Sequence, residues 1–238
     1  MNSISVCMAT YNGERFIKYQ IDSILNQLRK NDEFIIVDDC STDNTIGIIR
    51  SYLDKKIKLY QNSINIGCNR TFEKAISLSS KEIIFLSDQD DIWKSNKVSK
   101  ILSSFSDKKL TLILSEAEII DENGNKKGYT YYANRGGYKP GIIRNIIKAN
   151  YHGCTMAFRS ELIKKYGMPF PKNMSGHDIW IGYVNEIYGK VIFIDENLTL
   201  YRRHNSNLSD SIRSSILQMF SWRIDDSFNL LKGSLKYK

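Results

Sequence analysis

The feature that most limits how this chain can fold is the regular alternation of short apolar runs with amphipathic stretches over its first half. Runs at Ser3–Ala9, Phe34–Val37, Ile57–Tyr60, Ile83–Leu86 and Leu110–Leu114 have strand length and carry β-branched or aromatic residues. Between them, Glu14–Leu28 sets Phe16, Ile17, Ile21, Ile24, Leu25 and Leu28 at helical spacing, and Asp43–Leu53, Thr71–Leu78 and Lys94–Phe105 repeat that pattern at shorter length. Such alternation predicts an α/β fold with a mostly parallel central sheet covered by helices on both faces. After residue 115 the rhythm loosens. A turn is expected at Glu122-Asn123-Gly124-Asn125, then a loop rich in Tyr and Gly from Gly128 to Gly141. Strands follow at Thr155–Phe158, Val191–Ile194 and Leu198–Arg202, and helices at Ile179–Tyr188 and Ile212–Leu231.

A chain of 238 residues with 42% hydrophobic content can bury one sizeable core. Only three prolines occur and no Gly/Ser-rich linker or internal repeat divides it, so a single domain with a C-terminal extension is expected. The net charge of +8 suits polyanionic company: nucleic acid, an anionic membrane face or phosphorylated substrates. The first residues have no basic stretch followed by a long apolar run, so a cytoplasmic location is expected. Cys7, Cys40, Cys68 and Cys154 show no CxxC spacing, which argues against a zinc site and makes them small core or loop residues.

In open α/β sheets ligands bind beyond the carboxyl ends of the strands, so the residues that follow each strand carry the functional information. Three of these ends are polar: Thr10-Tyr11-Asn12-Gly13, Asp38-Asp39-Cys40-Ser41 and Ser87-Asp88-Gln89-Asp90-Asp91. Carboxylates grouped after an apolar strand make a hard oxygen site suited to Mg²⁺ or Mn²⁺, although Asp is also a common cap in front of a helix. The Asp38-Asp39 pair can accept hydrogen bonds from a base N–H or a ribose hydroxyl, and Tyr11 offers a ring to a nucleobase. Turn formation explains the same pair equally well. Asp178 opens an expected helix, where it can serve as a general base or simply complement the helix dipole.

The three histidines fall in Tyr151-His152-Gly153, Gly176-His177-Asp178 and Arg203-His204-Asn205, without the paired helical spacing of a zinc hydrolase. No GxSxG, P-loop or GxGxxG segment is present, which removes α/β-hydrolase, P-loop and dinucleotide-binding chemistry.

Taken in order, the motifs resemble the family 2 inverting glycosyltransferases of the GT-A fold, particularly bacterial rhamnosyltransferase-like enzymes of surface polysaccharide synthesis. The resemblance runs through Ser5–Gly13, Ile35–Asp43, Asn65-Ile66-Gly67, Phe85–Trp93, Gly176-His177-Asp178 and Tyr201–Asn207. It implies a GT-A domain over 1–210, with 1–115 binding the nucleotide-sugar and 116–210 the acceptor, followed by an amphipathic tail over 211–238. It implies that Thr10, Tyr11 and Asp39, with Asn12 and Asp38 beside them, hold the nucleotide. Asp88 and Asp90 form the DXD element, with Asp88 also facing the nucleotide, Asp90 ligating Mn²⁺ or Mg²⁺, and His204 a further metal or diphosphate candidate. Asp178 becomes the catalytic base, and His177, Trp180, Arg202 and Arg203 face diphosphate or acceptor. Members often carry Arg or Asn shortly after the Asn-x-Gly turn; here Cys68-Asn69-Arg70-Thr71 makes Arg70 the candidate for that nucleotide contact. The implied donor is a dTDP- or UDP-linked rhamnosyl or hexosyl group, and the implied acceptor a lipid-linked glycan.

Ile212, Ile216, Met219, Phe220 and Trp222 with Lys232, Lys236 and Lys238 suit a tail lying on the inner face of the membrane. Docking on the chain's own core or on a second subunit, as in a homodimer, is the simpler use of the same residues. Tyr129, Tyr131, Tyr132, Tyr138 and Trp180 offer stacking surfaces to an acceptor sugar or packing to the sheet. Two rival readings stand beside transfer: a sugar-phosphate nucleotidyltransferase, whose glycine-rich basic loop is missing, and a non-enzymatic nucleotide-sugar or glycan-binding module. A nucleic-acid partner is not expected, because the cleft is acidic and no nucleic-acid module is recognisable.

Overall fold

The computed structural model describes residues 2–147, 150–205, 207, 225 and 229. One nine-stranded sheet is formed by β1 (Ile4–Thr10), β2 (Glu33–Asp38), β3 (Ile57–Gln61), β4 (Ile83–Ser87), β5 (Ile92–Trp93), β6 (Leu112–Ile120), β7 (Lys126–Thr130), β8 (Met156–Arg159) and β9 (Val191–Arg202). The order is β3-β2-β1-β4-β8-β6-β9-β5, with β7 beside β6. The helices are α1 (Ile17–Leu25), α2 (Thr45–Arg50), α3 (Cys68–Leu78), α4 (Lys97–Ser104), α5 (Ile142–Ile147), α6 (Ser160–Leu162) and α7 (His177–Tyr188). None of the described helices is long and apolar enough to cross a membrane.

Strand alternation sorts the core into two layers. In β1, β2 and β4, Ile4, Val6, Met8, Phe34, Ile36, Ile83 and Phe85 pack with α1 and α4 through Ile17, Ile21, Ile24, Val98 and Ile101. Their neighbours Cys7, Ile35, Val37, Ile84 and Leu86 face the other side, where α3 supplies Phe72, Ala75 and Ile76 and α7 supplies Trp180, Ile181 and Val184. Each fully buried Ile, Leu or Phe contributes about 1.5–3 kcal/mol over an exposed one.

The parallel sheet foreseen for the first half is present, because β3-β2-β1-β4 are all parallel. Past β4 the sheet becomes mixed: β8 runs antiparallel to β4 and β6, β9 runs parallel to β6, and β5 antiparallel to β9. The two strands expected at Val191–Ile194 and Leu198–Arg202 are one, β9. Its exposed Asp195 and Glu196 interrupt the apolar pattern, and the register against β6 jumps there, from Ser115↔Ile194 to Glu116↔Asn197. Helix α3 starts at Cys68, ahead of the apolar stripe that marked Thr71. Gly67 takes φ +85 before it, and its carbonyl accepts Thr71 N–H at 3.0 Å. The short β5 and α5 and the exposed β7 carry too little periodicity to be foreseen. The tail helix expected at Ile212–Leu231 lies outside the described residues apart from Asp225 and Asn229. All four cysteines are free thiols, Cys7 and Cys154 buried and Cys40 and Cys68 partly so.

Candidate active site

Parallel register brings the polar strand ends together. Thr10 pairs with Asp38 across β1 and β2, Asp38 with Gln61 across β2 and β3, and Met8 with Ser87 across β1 and β4. Side chains then staple the loops. Gln89 exchanges two hydrogen bonds with the Tyr11 backbone, its Nε2 donating to the carbonyl at 3.0 Å and its Oε1 accepting the N–H at 2.9 Å. A Cβ at position 13 would lie 2.3 Å from Gln89 Oε1, so any larger residue there would push Gln89 off the Tyr11 backbone. Asn12, at φ +48, accepts Thr42 N–H at 2.8 Å and donates its own N–H to Ser41 Oγ at 2.9 Å. Asp38 is fully buried and accepts from the hydroxyls of Thr10 and Ser41 and from Ser41 N–H. Asp39, 3% exposed, accepts from Asn62 Nδ2 and Ile66 N–H at 2.9 Å each and from Gly67 N–H at 2.8 Å. It thereby ties the end of β2 to the start of α3. Tyr11 is 46% exposed over this floor.

The loop after β4 concentrates negative charge. Burial, with the charges of Asp91, Asp90 and Asp178, pushes the Asp88 carboxyl well above the usual carboxylate range. Burial and the Asp90 charge push Asp91 up to about 7. Asp91 Oδ1 accepts Arg202 N–H at 3.0 Å, whereas its Oδ2 is buried with no hydrogen-bonding partner among the described residues. Asp90 Oδ2 lies 2.8 Å from His204 Nε2 and accepts from Asn207 Nδ2 at 3.2 Å. Beneath them Lys97 is fully buried, donating to the Cys154 carbonyl at 2.6 Å and Thr199 Oγ1 at 2.8 Å, with burial lowering its pKa to about 8. Lys97 and the Arg202 guanidinium do not balance this many carboxylates among the described residues, and the orphan oxygen and raised pKa values mark a place that a divalent cation suits. Asp88, Asp91 and Cys154 place ligand atoms within 4.8 Å of one another. The Cys154 thiol is pushed far up by burial and is soft, so the donors that fit Mg²⁺ or Mn²⁺ are carboxylate oxygens.

Asp178 stands in the first turn of α7, its Oδ1 accepting Ile179 N–H at 2.8 Å. Its charge acts on Asp88, and the Cys68 thiol is raised by burial and by Asp88, Asp178, Asp39 and Asp90 together. The charges of these four carboxylates, from the ends of β2 and β4 and the start of α7, thus all act on Cys68 in the first turn of α3.

The sequence profile described as Glycosyl transferase family 2 matches residues 5–167, well over half of the chain. The chain belongs to this family. An uncharacterised glycosyltransferase of Nostoc sp. is 29% identical over 86% of this chain and 66% of its own length. The UDP-Glc:alpha-D-GlcNAc-diphosphoundecaprenol beta-1,3-glucosyltransferase WfgD of Escherichia coli is 32% identical over 50% of this chain and 47% of its own. The chain thus spans less than two thirds of the length of these relatives. Staphylococcus aureus TarS 1-349 in complex with UDP-GlcNAc superposes with a TM-score of 0.75 at 18% identity, over 96% of this chain and 66% of that one. The mannosyltransferase PcManGT of Pyrobaculum calidifontis, in complex with GDP-Man and Mn²⁺, gives 0.67 at 16% identity, over 98% and 73%. The architecture is the GT-A fold of family 2.

Several of the residues expected to meet ligand have another occupation. Arg70 donates to the carbonyls of Phe170 at 2.9 Å and Pro171 at 2.8 Å and pairs with Glu73, so it clamps the segment before α7 instead of reaching the nucleotide. Trp180 is buried with its indole N–H on the Gly167 carbonyl at 2.8 Å, a core position with no face left for a sugar. Arg202, 3% exposed, donates to the carbonyls of Asp90 at 2.8 Å and Glu122 at 3.0 Å; it latches the acidic loop and does not offer itself to a diphosphate. Asn12 and Asp38 use their polar atoms to shape the loops. Tyr132 is fully buried and Tyr138 stacks on Phe193, centroids 5.1 Å apart, so both pack. Arg203 is half-buried beside Tyr201, its guanidinium 6.0 Å from the ring. His204 does meet Asp90, and the charges of Asp90 and Asp178 act on Asp88. Lys97 carries no local signal in the sequence, and Asn69 and Asn207 stand within motif segments that do not show their partners, because each acts on a group that only the fold brings near. Asp91 stood in plain view within the motif, but its burial did not.

Proposed function

We propose that the chain transfers a rhamnosyl or hexosyl group from a dTDP- or UDP-linked donor to a hydroxyl of a lipid-linked bacterial surface glycan, with inversion at the anomeric carbon. What supports the reading is that Asp39 holds the chain entering α3, Asn69 of α3 holds the start of α7 where Asp178 stands, and the charges of Asp88, Asp90, Asp39 and Asp178 all act on Cys68 between them. A UDP-linked donor is favoured by the UDP-GlcNAc and UDP complexes of TarS and by the name of WfgD, which also names a diphosphoundecaprenol acceptor. A role in polysaccharide synthesis is supported by the putative teichuronic acid biosynthesis glycosyltransferase TuaG of Bacillus subtilis, 25% identical over 87% of this chain and 82% of its own length. Contact with the membrane surface, through the tail over 211–238, belongs to the same proposal.

In this reading Tyr11 covers the nucleobase while Thr10 and Asp39 form the floor at the ends of β1 and β2. Asp88 and Asp90, the latter steadied by His204 and Asn207, would hold Mn²⁺ or Mg²⁺, with the unpartnered Asp91 Oδ2 near Asp88 as a further oxygen donor. When bound, that ion supplies Lewis-acid neutralisation of the diphosphate. Asp178 accepts the proton of the attacking hydroxyl as it approaches the anomeric carbon opposite the diphosphate. Asp178→Asn keeps an acceptor for Ile179 N–H and removes the base. Thermal-shift titration with UDP-glucose, UDP-N-acetylglucosamine, dTDP-rhamnose and GDP-mannose, each with Mn²⁺, identifies the donor; the variant is then expected to bind it normally and to turn it over about 10²–10⁴-fold more slowly. Turnover equal to that of the unmodified protein removes the assignment.

A further inference from the structure

The seam between α3 and the segment leading into α7 is held by side chains from the first two turns of α3. Arg70 holds the Phe170 and Pro171 carbonyls, and Glu73 Oε1 accepts Phe170 N–H at 2.6 Å. Phe72 stacks on the His177 ring with centroids 4.0 Å apart and planes inclined by 19°. Asn69 makes the contact with the sharpest chemical content: its Oδ1 lies 3.0 Å from His177 N and 3.2 Å from His177 Nδ1.

A backbone N–H can only donate, so the atom at this place is the amide oxygen, and Nδ1 must carry a hydrogen to approach it. The ring is therefore the Nδ1–H tautomer. Burial lowers its pKa, which keeps that tautomer neutral. Helix α7 needs this outside help. Its N-cap is Gly176, which has no side chain, and the helix has no side-chain cap of its own. Asn69 supplies the missing acceptor from 108 residues away. At its other end the first turn of α3 is fastened to β2 through the Asp39 bonds to Ile66 and Gly67. One rigid turn thus links the donor-side floor to the helix that begins His177-Asp178.

We propose that Asn69 is a positioning residue for the transfer reaction: by accepting both hydrogens of His177 it caps α7 and sets the register of Asp178 against a donor seated at the ends of β1, β2 and β4. The proposal rests on the reading of Asp178 as the base. Misplacing a catalytic group by about 1 Å costs on the order of 10²-fold in rate, so a lost cap should appear in kcat while donor affinity is kept.

The test compares the unmodified chain with Asn69→Ala and Asn69→Asp, the latter keeping an acceptor oxygen. Two readouts are used: ¹⁵N resonances of the His177 ring, assigned with His177→Gln, and hydrolysis of the nucleotide-sugar that stabilises the unmodified chain in the thermal-shift series. The unmodified chain should show Nδ1 protonated and Nε2 bare throughout pH 6–8. Asn69→Ala should lose that bias and fall at least about tenfold in kcat, with the donor Kd within about twofold. Asn69→Asp should restore both. An unchanged tautomer and kcat in Asn69→Ala, a donor affinity that falls in step with kcat, or a folded Asn69→Asp that restores neither, overturns the proposal. If no nucleotide-sugar binds or is hydrolysed by the unmodified chain, the transferase reading fails, and the ring resonances still decide whether Asn69 sets the tautomer.

Discussion

Glu33 shows how a single buried charge is kept ionised in this fold. Burial alone would raise its pKa, yet donors from Lys58, Ser5 and Ser80 surround the carboxylate and hold it at about 2, below its ordinary 4.5. A carboxyl whose pKa is depressed on folding stabilises the native state above its unfolded pKa, and that contribution is lost as pH falls towards the folded one. Urea titrations of the unmodified chain and Glu33→Gln should therefore differ by about 1–3 kcal/mol at pH 7 and converge between pH 4.5 and 2. A gap that stays constant over that window would contradict the assignment. At Gly13 the constraint is steric. Gly13→Ala drives a methyl into Gln89 and should cost about 1–3 kcal/mol, and Gln89→Ala in the same chain should relieve part of that cost in a double-mutant cycle.

Between elements, the strands set the place of the chemistry and the return of β9 holds it. Arg202 at the end of β9 donates to carbonyls of the loop after β4 and of the turn after β6, so three chain segments meet at one guanidinium. Arg202→Ala should lower stability by about 2–4 kcal/mol and loosen Asp90 and Asp91, weakening Mn²⁺ binding in equilibrium dialysis. Equal Mn²⁺ affinity in a folded variant would show that the latch is dispensable. A latch of this kind is hard to foresee. Charge and motif position suggest that Arg202 meets a phosphate, and only its burial among carbonyls shows otherwise. The same holds for Arg70 and Trp180: residue type announced a ligand, and the fold supplied a protein partner. Where the signal was local, as in the apolar runs of β1, β2 and β4, the reading succeeded, because strand alternation is written residue by residue. It failed at β5, β7 and α5, whose few residues owe their conformation to neighbours distant in sequence.

At the scale of the whole molecule, a parallel half-sheet carries three acidic or polar strand ends to one edge, and the mixed half folds α7 and the end of β9 over that edge. That Asp39, Asp88 and Asp90 follow strands β2 and β4, both paired to β1, was legible because position beyond a strand is a topological fact. The effect of the Asp178 charge on Asp88 depends on the second half of the sheet, whose antiparallel and parallel pairings no periodicity reveals. The proposed transfer requires that the carboxylates at these strand ends make nucleotide binding depend on a divalent ion. The direct measurement is calorimetric titration of UDP into the chain and into Asp90→Ala, each with Mn²⁺ and with EDTA. Tight binding by the unmodified chain with Mn²⁺, lost in EDTA and lost in Asp90→Ala, is the predicted result. UDP binding of equal strength in all four titrations would contradict it.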